Sequence, residues 1–389
     1  MIQYGRQTID DSDIEAVASV FRENKFLTTG PKVAEFEQAV CKMVSCKYAF
    51  AVNSGTAALH LATRAIQLVP GDEVIVPAIT FAATANCVLY EGATPVFCDV
   101  DPDTLNLDMT KVTQLITPKT RAIIMVDYAG QPADYHELRR ICDQYNLVLI
   151  EDAAHSIGHR VDSSVCPHAP YIGSFADITT FSFHPVKNMT TGEGGMTVTN
   201  NELYASRMKT FRTHGIFTEY NDRKLHGYDI VELGYNYRIT DFQCALGLNQ
   251  LSRVESWIKL RQEIVKQYNT TFNSVEVTDL IKPITNRFSS CYHIYVILLN
   301  LEMLDCDRDT IFGELKNLGI GVNVHYKPVY LMTYYQNHPN IKTDPGLCPV
   351  AEHAYERMIT IPLYPTMTQE QIDKVQYTVK NTILMHRKV

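Results

Sequence analysis

Three short stretches carry residues whose types and spacing could do chemistry. In FSFHPVKNMTTGEGG, residues 181–195, Lys187 stands alone between an aromatic run and a polar loop that closes on glycines. A lysine so placed can be a solvated loop charge, a phosphate clamp, or a nucleophile toward a carbonyl carbon if burial keeps its amine unprotonated. In LVLIEDAAHSIG, residues 147–158, Glu151, Asp152 and His155 follow an apolar run. A carboxylate there can keep a ring nitrogen protonated by charge pairing, or it can cap the next helix. In AVNSGTAALHLA, residues 51–62, Ser54 is a good N-cap, and Gly55 and Thr56 open a strong helix former run. That start is either a well-capped helix or an anion site, because free N–H groups and the positive end of the helix dipole favour a phosphate.

Taken together, a phosphate cradle, a strand-end aspartate and a Schiff-base lysine are what pyridoxal 5'-phosphate requires. Phe81, in ITFAATANC, is either an aromatic face for the pyridine ring or a core residue. His155 and His159 have the spacing of a metal pair, yet Gly158 interrupts them and no third ligand has a recognisable spacing, so no metal is expected. The P-loop pattern G-x-x-x-x-G-K-[ST] and the G-x-G-x-x-G fingerprint are absent, which argues against a nucleotide P-loop and a nicotinamide enzyme.

The elements that must position these residues are legible as alternation. YAFAV, DEVIVP, TPVFCDV, RAIIMVDY, LVLIEDA, DITTFSF and GGMTVTN read as strands, with helical segments between several of them, such as 57–66 and 135–145. The expected fold class is α/β with a mixed, mostly parallel sheet, its ligands beyond the carboxyl ends of the strands. A long amphipathic stretch, 239–269, then leads to a second set: a strand in CYHIYVILL, a helix in RDTIFGELKNLG and a strand in IGVNVHY. The expected division is 1–250, a large domain with the N-terminal segment, and 251–389, a small α+β domain. Ile14, Val17, Ala18 and Phe21 have helical spacing and can pack on either.

With 389 residues, 46% hydrophobic and 20% charged, the chain can bury one large core and a smaller one. A net charge of -8 without a basic run speaks against nucleic acid. No stretch reaches the roughly 18 apolar residues of a membrane span, and no signal-like segment opens the chain, so a cytoplasmic protein with no membrane partner is expected. The ten cysteines sit singly, without a C-x-x-C pair, and read as reduced core residues.

The order of these motifs resembles the DegT/DnrJ/EryC1/StrS family of sugar aminotransferases, which has the fold-type-I architecture of aspartate aminotransferase. The resemblance runs from LTTGPKVAEFEQAV through NSGTAALHLA, EDAAHSIG, FSFHPVKNMTTGEGG and GYNYRITDFQCALGLNQL to VNVHYKPVY. It implies that Lys187 forms the Schiff base, that Asp152 pairs with the pyridinium nitrogen, and that Ser54, Gly55, Thr56 and Ser182 hold the phosphate. It also implies that Phe81 stacks on the ring, that His155 lies near the phenolic oxygen, and that Asn236 reaches the phosphate of a partner subunit in a homodimer.

Thr28, Thr29, Gly30, His184, His325 and Tyr326 match positions that usually line the sugar nucleotide. Tyr330 belongs to the same set, but stands where relatives often carry histidine. SFHPVKNMTTGEGG resembles the branch that aminates C4 of a 4-keto-6-deoxy hexose, UDP- or dTDP-linked, more than the C3 branch, whose loop tends to read FYPGKNLG. The implied reaction is ping-pong transamination with L-glutamate as donor and pyridoxamine phosphate as the second cofactor form. The alternatives are a C3-specific aminotransferase, a sugar dehydratase, which would carry histidine at Lys187, and a non-catalytic regulatory protein. The glycines after Lys187 are expected to bring the backbone close to the cofactor.

Overall fold

The computed structural model of the protein describes residues 1–23, 25–161, 171–217 and 228–388. All seven runs expected as strands of the first sheet form it: β1 (Tyr48–Val52), β2 (Glu73–Pro77), β3 (Thr94–Cys98), β4 (Thr120–Val126), β5 (Val148–Asp152), β6 (Ile178–Ser182) and β7 (Gly195–Thr199). Their order is β1-β7-β6-β5-β4-β2-β3. The ladders from β3 to β6 are parallel, and β7 runs antiparallel to both β1 and β6. Residues adjacent on one strand enter different cores: Ile124 and Ile150 pack on one face, Ile123 and Leu149 on the other. Both faces are therefore covered by apolar side chains, which is why these strands read as continuous hydrophobic runs.

Strand polarity gathers the chemistry. Val126 lies opposite Asp152 and Asp152 opposite Thr180 in the parallel ladders. Ser182 and Val52 both pair with Gly195 across the antiparallel ones. The carboxyl ends of β1, β4, β5 and β6 thus share one sheet edge, where ligands of open α/β sheets bind.

A second, antiparallel sheet has the order β10-β9-β8, built from β8 (Ile281–Pro283), β9 (Tyr295–Leu299) and β10 (Met358–Ile361). The helices Val254–Phe272, Arg308–Asn317 and Gln369–Met385 pack a core of their own with it, including Tyr268, Phe272, Leu299, Ile311 and Val375. IGVNVHY is not a strand: residues 320 and 323 make only isolated bridges, Ile2 with Ile320 and Asn323 with Thr360. Alternating apolar residues give it a strand's pattern, but among the described residues its neighbours contribute single bridges and not a ladder.

The long amphipathic stretch is two helices, Asp241–Leu251 and Val254–Phe272. Thr240 caps the first through a capping box with Gln243. The second helix joins the two units, with Val254, Trp257 and Ile258 in the large core and Ile264, Tyr268 and Phe272 in the small one. The N-terminus is split likewise. Ile2 bridges Ile320, whereas the helix Asp11–Glu23 hydrogen-bonds through Asp13 to Asn249 and Gln250. On that helix Ile14 and Phe21 are exposed, Val17 and Ala18 half-buried and Asp13 buried, and the Phe21 ring lies 5.4 Å from that of Phe242, so the apolar stripe packs only in part. Six cysteines are buried, but Cys41, Cys46 and Cys306 are half-buried, and Cys166 lies outside the described residues.

Candidate active site

A cavity of about 1060 Å³ opens at the shared sheet edge, between the first sheet and the small unit. Ser54, Gly55, Thr56, Phe81, Asp152 and His155 line it, and so do Ser182, His184, Lys187, His325 and Tyr326. Eleven positions spread over some 270 residues of chain are brought to one place.

β1 delivers the helix Gly55–Ala65 to the cavity, with Ser54 Oγ accepting from Ala57 N–H at 3.1 Å. The cap leaves the N–H groups of the first residues, which a helix's own ladder does not use, for another acceptor. A Cβ on Gly55 would lie 2.8 Å from Ser182 Cβ, so glycine lets the helix start sit against β6. In the tail after Lys187, Glu193 lines the cavity, and Gly195 lets the backbone pass close behind the 54–55 turn, where a Cβ would lie 2.4 Å from Ser54 O.

Asp152 does not cap a helix, because turns follow β5. Its Oδ2 accepts from Thr84 Oγ1 at 2.7 Å and its Oδ1 from Ala154 N–H at 3.2 Å. Burial raises its pKa, while the Thr84 and Ala154 hydrogen bonds and the Lys187 charge oppose the rise. Strand alternation sends the neighbouring Glu151 to the opposite face. There it accepts from Thr179 at 2.6 Å and from Tyr135, and burial raises it too.

Lys187 is half-buried, and its amine is lowered to about 8, by burial first, with Asp152 pulling the other way. Roughly a tenth of such an amine is unprotonated at pH 7, far more than of an exposed lysine, which favours the nucleophile over the loop charge. His155 is buried and held well below its ordinary value, by burial and then by the charges of Lys187 and His325. Its Nε2 lies 3.3 Å from Tyr326 Oη, and its Nδ1 has no partner among the described residues. His159 Nε2 instead faces Ser289 O at 3.0 Å.

The wall contributed by the small unit holds His325, lowered to about 3 by burial and then by the Lys187 charge, with Nδ1 2.9 Å from Thr360 Oγ1. Phe81 is 60% exposed, its ring centroid 6.1 Å from that of Tyr326. An open aromatic face at the cavity is available for stacking, and Phe81 is not a core residue.

Five positions are not brought to the cavity. Thr28 and Thr29 are exposed, and Gly30 N–H is held by Asp241 at 2.8 Å. Asn236 is exposed beside Asn53, whose Nδ2 donates to Asn236 O at 3.3 Å. Tyr330 is fully buried, donates to Glu352, accepts from Cys348 N–H at 3.2 Å and packs on Phe97. It belongs to the core, because the 3-10 turn Val329–Leu331 points it inward.

Conversely, Thr84 and His293 were not singled out from the sequence. Thr84 holds Asp152. His293 lines the cavity with its ring centroid 4.3 Å from that of His155. Neither carries a sequence signal beyond an ordinary helix or strand position.

A seven-stranded, mostly parallel mixed sheet with a cavity at its carboxyl edge that gathers a lysine, an aspartate and a capped helix start is the arrangement of a fold-type-I aminotransferase. The chain belongs to the DegT/DnrJ/EryC1/StrS aminotransferase family, whose sequence profile matches residues 7–380. It is 40% identical over 339 residues to the UDP-4-amino-4,6-dideoxy-N-acetyl-beta-L-altrosamine transaminase of Campylobacter jejuni, covering 86% of each chain. Among solved structures it is similar to PseC of Helicobacter pylori, an aminotransferase involved in the biosynthesis of pseudoaminic acid. The TM-score is 0.89 at 30% identity, over 98% of this chain and 99% of that one. It is also similar to the PLP-form of Spr1654 from Streptococcus pneumoniae, with a TM-score of 0.87 at 32% identity, over 98% of each chain.

Proposed function

We propose that the protein transfers the amino group of L-glutamate to C4 of a UDP- or dTDP-linked 4-keto-6-deoxy sugar, using pyridoxal phosphate and pyridoxamine phosphate in turn. The observation that carries this reading is the convergence of Lys187, Asp152 and the Ser54–Thr56 helix start on one cavity. The similarity to a transaminase named for a UDP-linked 4-amino sugar supports the choice of C4.

The donor set fits the cofactor. Gly55, Thr56 and Ser182 would hold its phosphate, Asp152 its ring nitrogen and Phe81 one ring face. His155 Nδ1, a buried polar atom without a partner, would face its phenolic oxygen. When bound, the cofactor supplies an electron sink for the carbon that loses or gains the amine. Asp152, its charge disfavoured by burial and only partly supported by Thr84 and Ala154, would be further stabilised as a carboxylate by a cationic N–H partner, which is what a protonated ring nitrogen offers. Lys187, poised near 8, is suited both to attack a carbonyl carbon and to move a proton between the donor's Cα and the cofactor. His184, His325 and Tyr326 would face the sugar nucleotide.

The chain would work as a homodimer. Tyr228, Ile230, Val231, Leu233 and Tyr235 are all exposed apolar residues leading to Asn236. A patch of this kind is suited to cover by a second copy. Thr28, Thr29 and Asn236, exposed and away from their own cavity, would then complete the partner's.

The test is to incubate holoenzyme with glutamate and a panel of UDP-, dTDP- and GDP-linked 3-keto and 4-keto sugars. The expected result is 2-oxoglutarate release with a product whose new amine is located at C4 by NMR. Amination of the 3-keto sugars instead, or no amine transfer to any, would overturn the reading.

A further inference from the structure

None of the residues of a second side-chain cluster, in the small unit, lines the cavity. After the helix Gln369–Met385, the chain folds back along residues 303–305. Leu304 bridges Arg387, Asp305 N–H donates to His386 O at 2.9 Å, and Lys388 N–H donates to Met303 O at 3.0 Å. Arg387 is anchored to both carboxylate oxygens of Asp279, at 2.8 and 2.9 Å. The backbone around Asp305, Cys306 and His386 is thereby fixed independently of what those side chains do.

They place a carboxylate oxygen, a thiol sulfur and a ring nitrogen within 4.8 Å of one another. His386 Nδ1 lies 2.8 Å from Asp305 Oδ1, and its Nε2 lies 3.0 Å from Glu314 Oε2. An imidazolium between two carboxylates would account for both ring contacts, but it leaves the half-buried Cys306 a bystander.

We propose that Asp305, Cys306 and His386 form a binding site for a zinc-class divalent ion, with Glu314 holding the far ring nitrogen and water completing the tetrahedron. Thiolate and imidazole select zinc over magnesium or calcium, and a carboxylate on the second ring nitrogen orients the ligand and raises its basicity. Donor atoms around tetrahedral zinc stand about 3.3–3.8 Å apart. Asp305, 59% exposed, must swing slightly away from the ring, and the thiol must close in. Both are side-chain movements. Bound there, the ion would staple the C-terminal tail to the helix Arg308–Asn317, a stabilising role separate from transamination.

The experiment titrates holoenzyme, stripped with chelator and dialysed, with Co²⁺. Red d–d bands of tetrahedral, thiolate-bound cobalt should appear, saturate at a single equivalent and vanish on adding Zn²⁺. Cys306→Ser should abolish them, and Glu314→Gln should weaken cobalt binding about 10-fold. The urea midpoint should rise with Zn²⁺ in the wild type and not in Cys306→Ser. Absence of the bands, or bands of full intensity in Cys306→Ser, would overturn the proposal. His386→Asn gives the same readout should Cys306→Ser fail to fold, with folding checked by the cofactor's visible absorption.

Discussion

Asp152 and His325 face the same cavity from opposite walls, and their backbones are held by different means. Asp152 ends a strand whose register is set by ladders on both sides, and the bonds continue past it: Asp127 N–H donates to Asp152 O at 3.2 Å and Ala153 N–H to Thr180 O at 2.9 Å. His325 sits on irregular chain. Its supports are individual contacts: the exchange of backbone bonds between Asn323 and Thr360, the contact of its Nδ1 with Thr360, and Tyr128 donating to its carbonyl. The groups that would meet a fixed cofactor stand on the first sheet or on the turns that leave it, Lys187 five residues beyond β6, whereas His325 and Tyr326, suited to read a variable sugar, stand on irregular chain of the other wall. Rigid elements position side chains more closely than loops do, which favours that division of labour.

The sheet wall should therefore show the largest mutational effects. Lys187→Ala should lower transamination by at least ~10³-fold and remove the visible absorption of the lysine-bound cofactor. Retention of that colour would sink the lysine's role. Asp152→Asn should lose about 10²- to 10³-fold in kcat while cofactor remains bound. Thr84→Val, which removes one hydrogen bond to the same carboxylate, should lose about 10-fold by the same assay. Full activity in Asp152→Asn would break the comparison outright.

The sheet wall also makes a pH prediction with a definite sign. Burial brings the Lys187 amine down to about 8, and the Asp152 charge resists that shift. Only the unprotonated amine attacks a carbonyl, so the rate at which cofactor-free protein is reloaded with pyridoxal phosphate should climb through about pH 8 and level off above it. Removing the opposing charge, as in Asp152→Asn, should move that rise to lower pH. A rise displaced to higher pH would show that the lysine is governed by some group other than Asp152.

The same contrast explains how much was legible beforehand. All seven strands of the first sheet could be read, because strands covered on both faces, parallel or not, are continuous apolar runs. Lys187, Asp152 and Ser54 stood out because a charged or capping residue at a strand end departs from the apolar run before it. Thr84 could not be singled out: a threonine in a short helix looks the same whether or not a carboxylate lies against it. His293 was hidden in an apolar strand pattern, and IGVNVHY was mistaken for a strand, because alternation reports burial and not the presence of a ladder partner. Thr28, Thr29 and Asn236 came from whole-family resemblance, and a single chain leaves them outside the cavity.

On the loop wall the effects should be smaller and should fall on substrate affinity. Tyr326→Phe removes the hydroxyl that faces His155 Nε2 at 3.3 Å. It should raise KM for the sugar nucleotide about 2- to 10-fold, the range of one modest hydrogen bond, with kcat nearly unchanged. A loss confined to kcat would place Tyr326 with the sheet-wall chemistry and blur the division.

Tyr330, four residues on, marks where that wall ends. Its hydroxyl donates to Glu352 and accepts from Cys348 N–H at 3.2 Å, and its ring packs on Phe97 with centroids 5.6 Å apart. Tyr330→Phe keeps the ring packing but leaves a buried N–H without its acceptor, a loss of about 1–3 kcal/mol. The urea midpoint should therefore fall while kcat and KM for both substrates stay as they were. A rise in KM for the sugar with no loss of stability would instead return Tyr330 to the substrate's surroundings, and would mean that the 329–331 turn opens when the sugar nucleotide binds. The affinity effect at Tyr326 and the stability effect at Tyr330 thus separate, within one turn of chain, the residues that read the substrate from those that hold the reader in place.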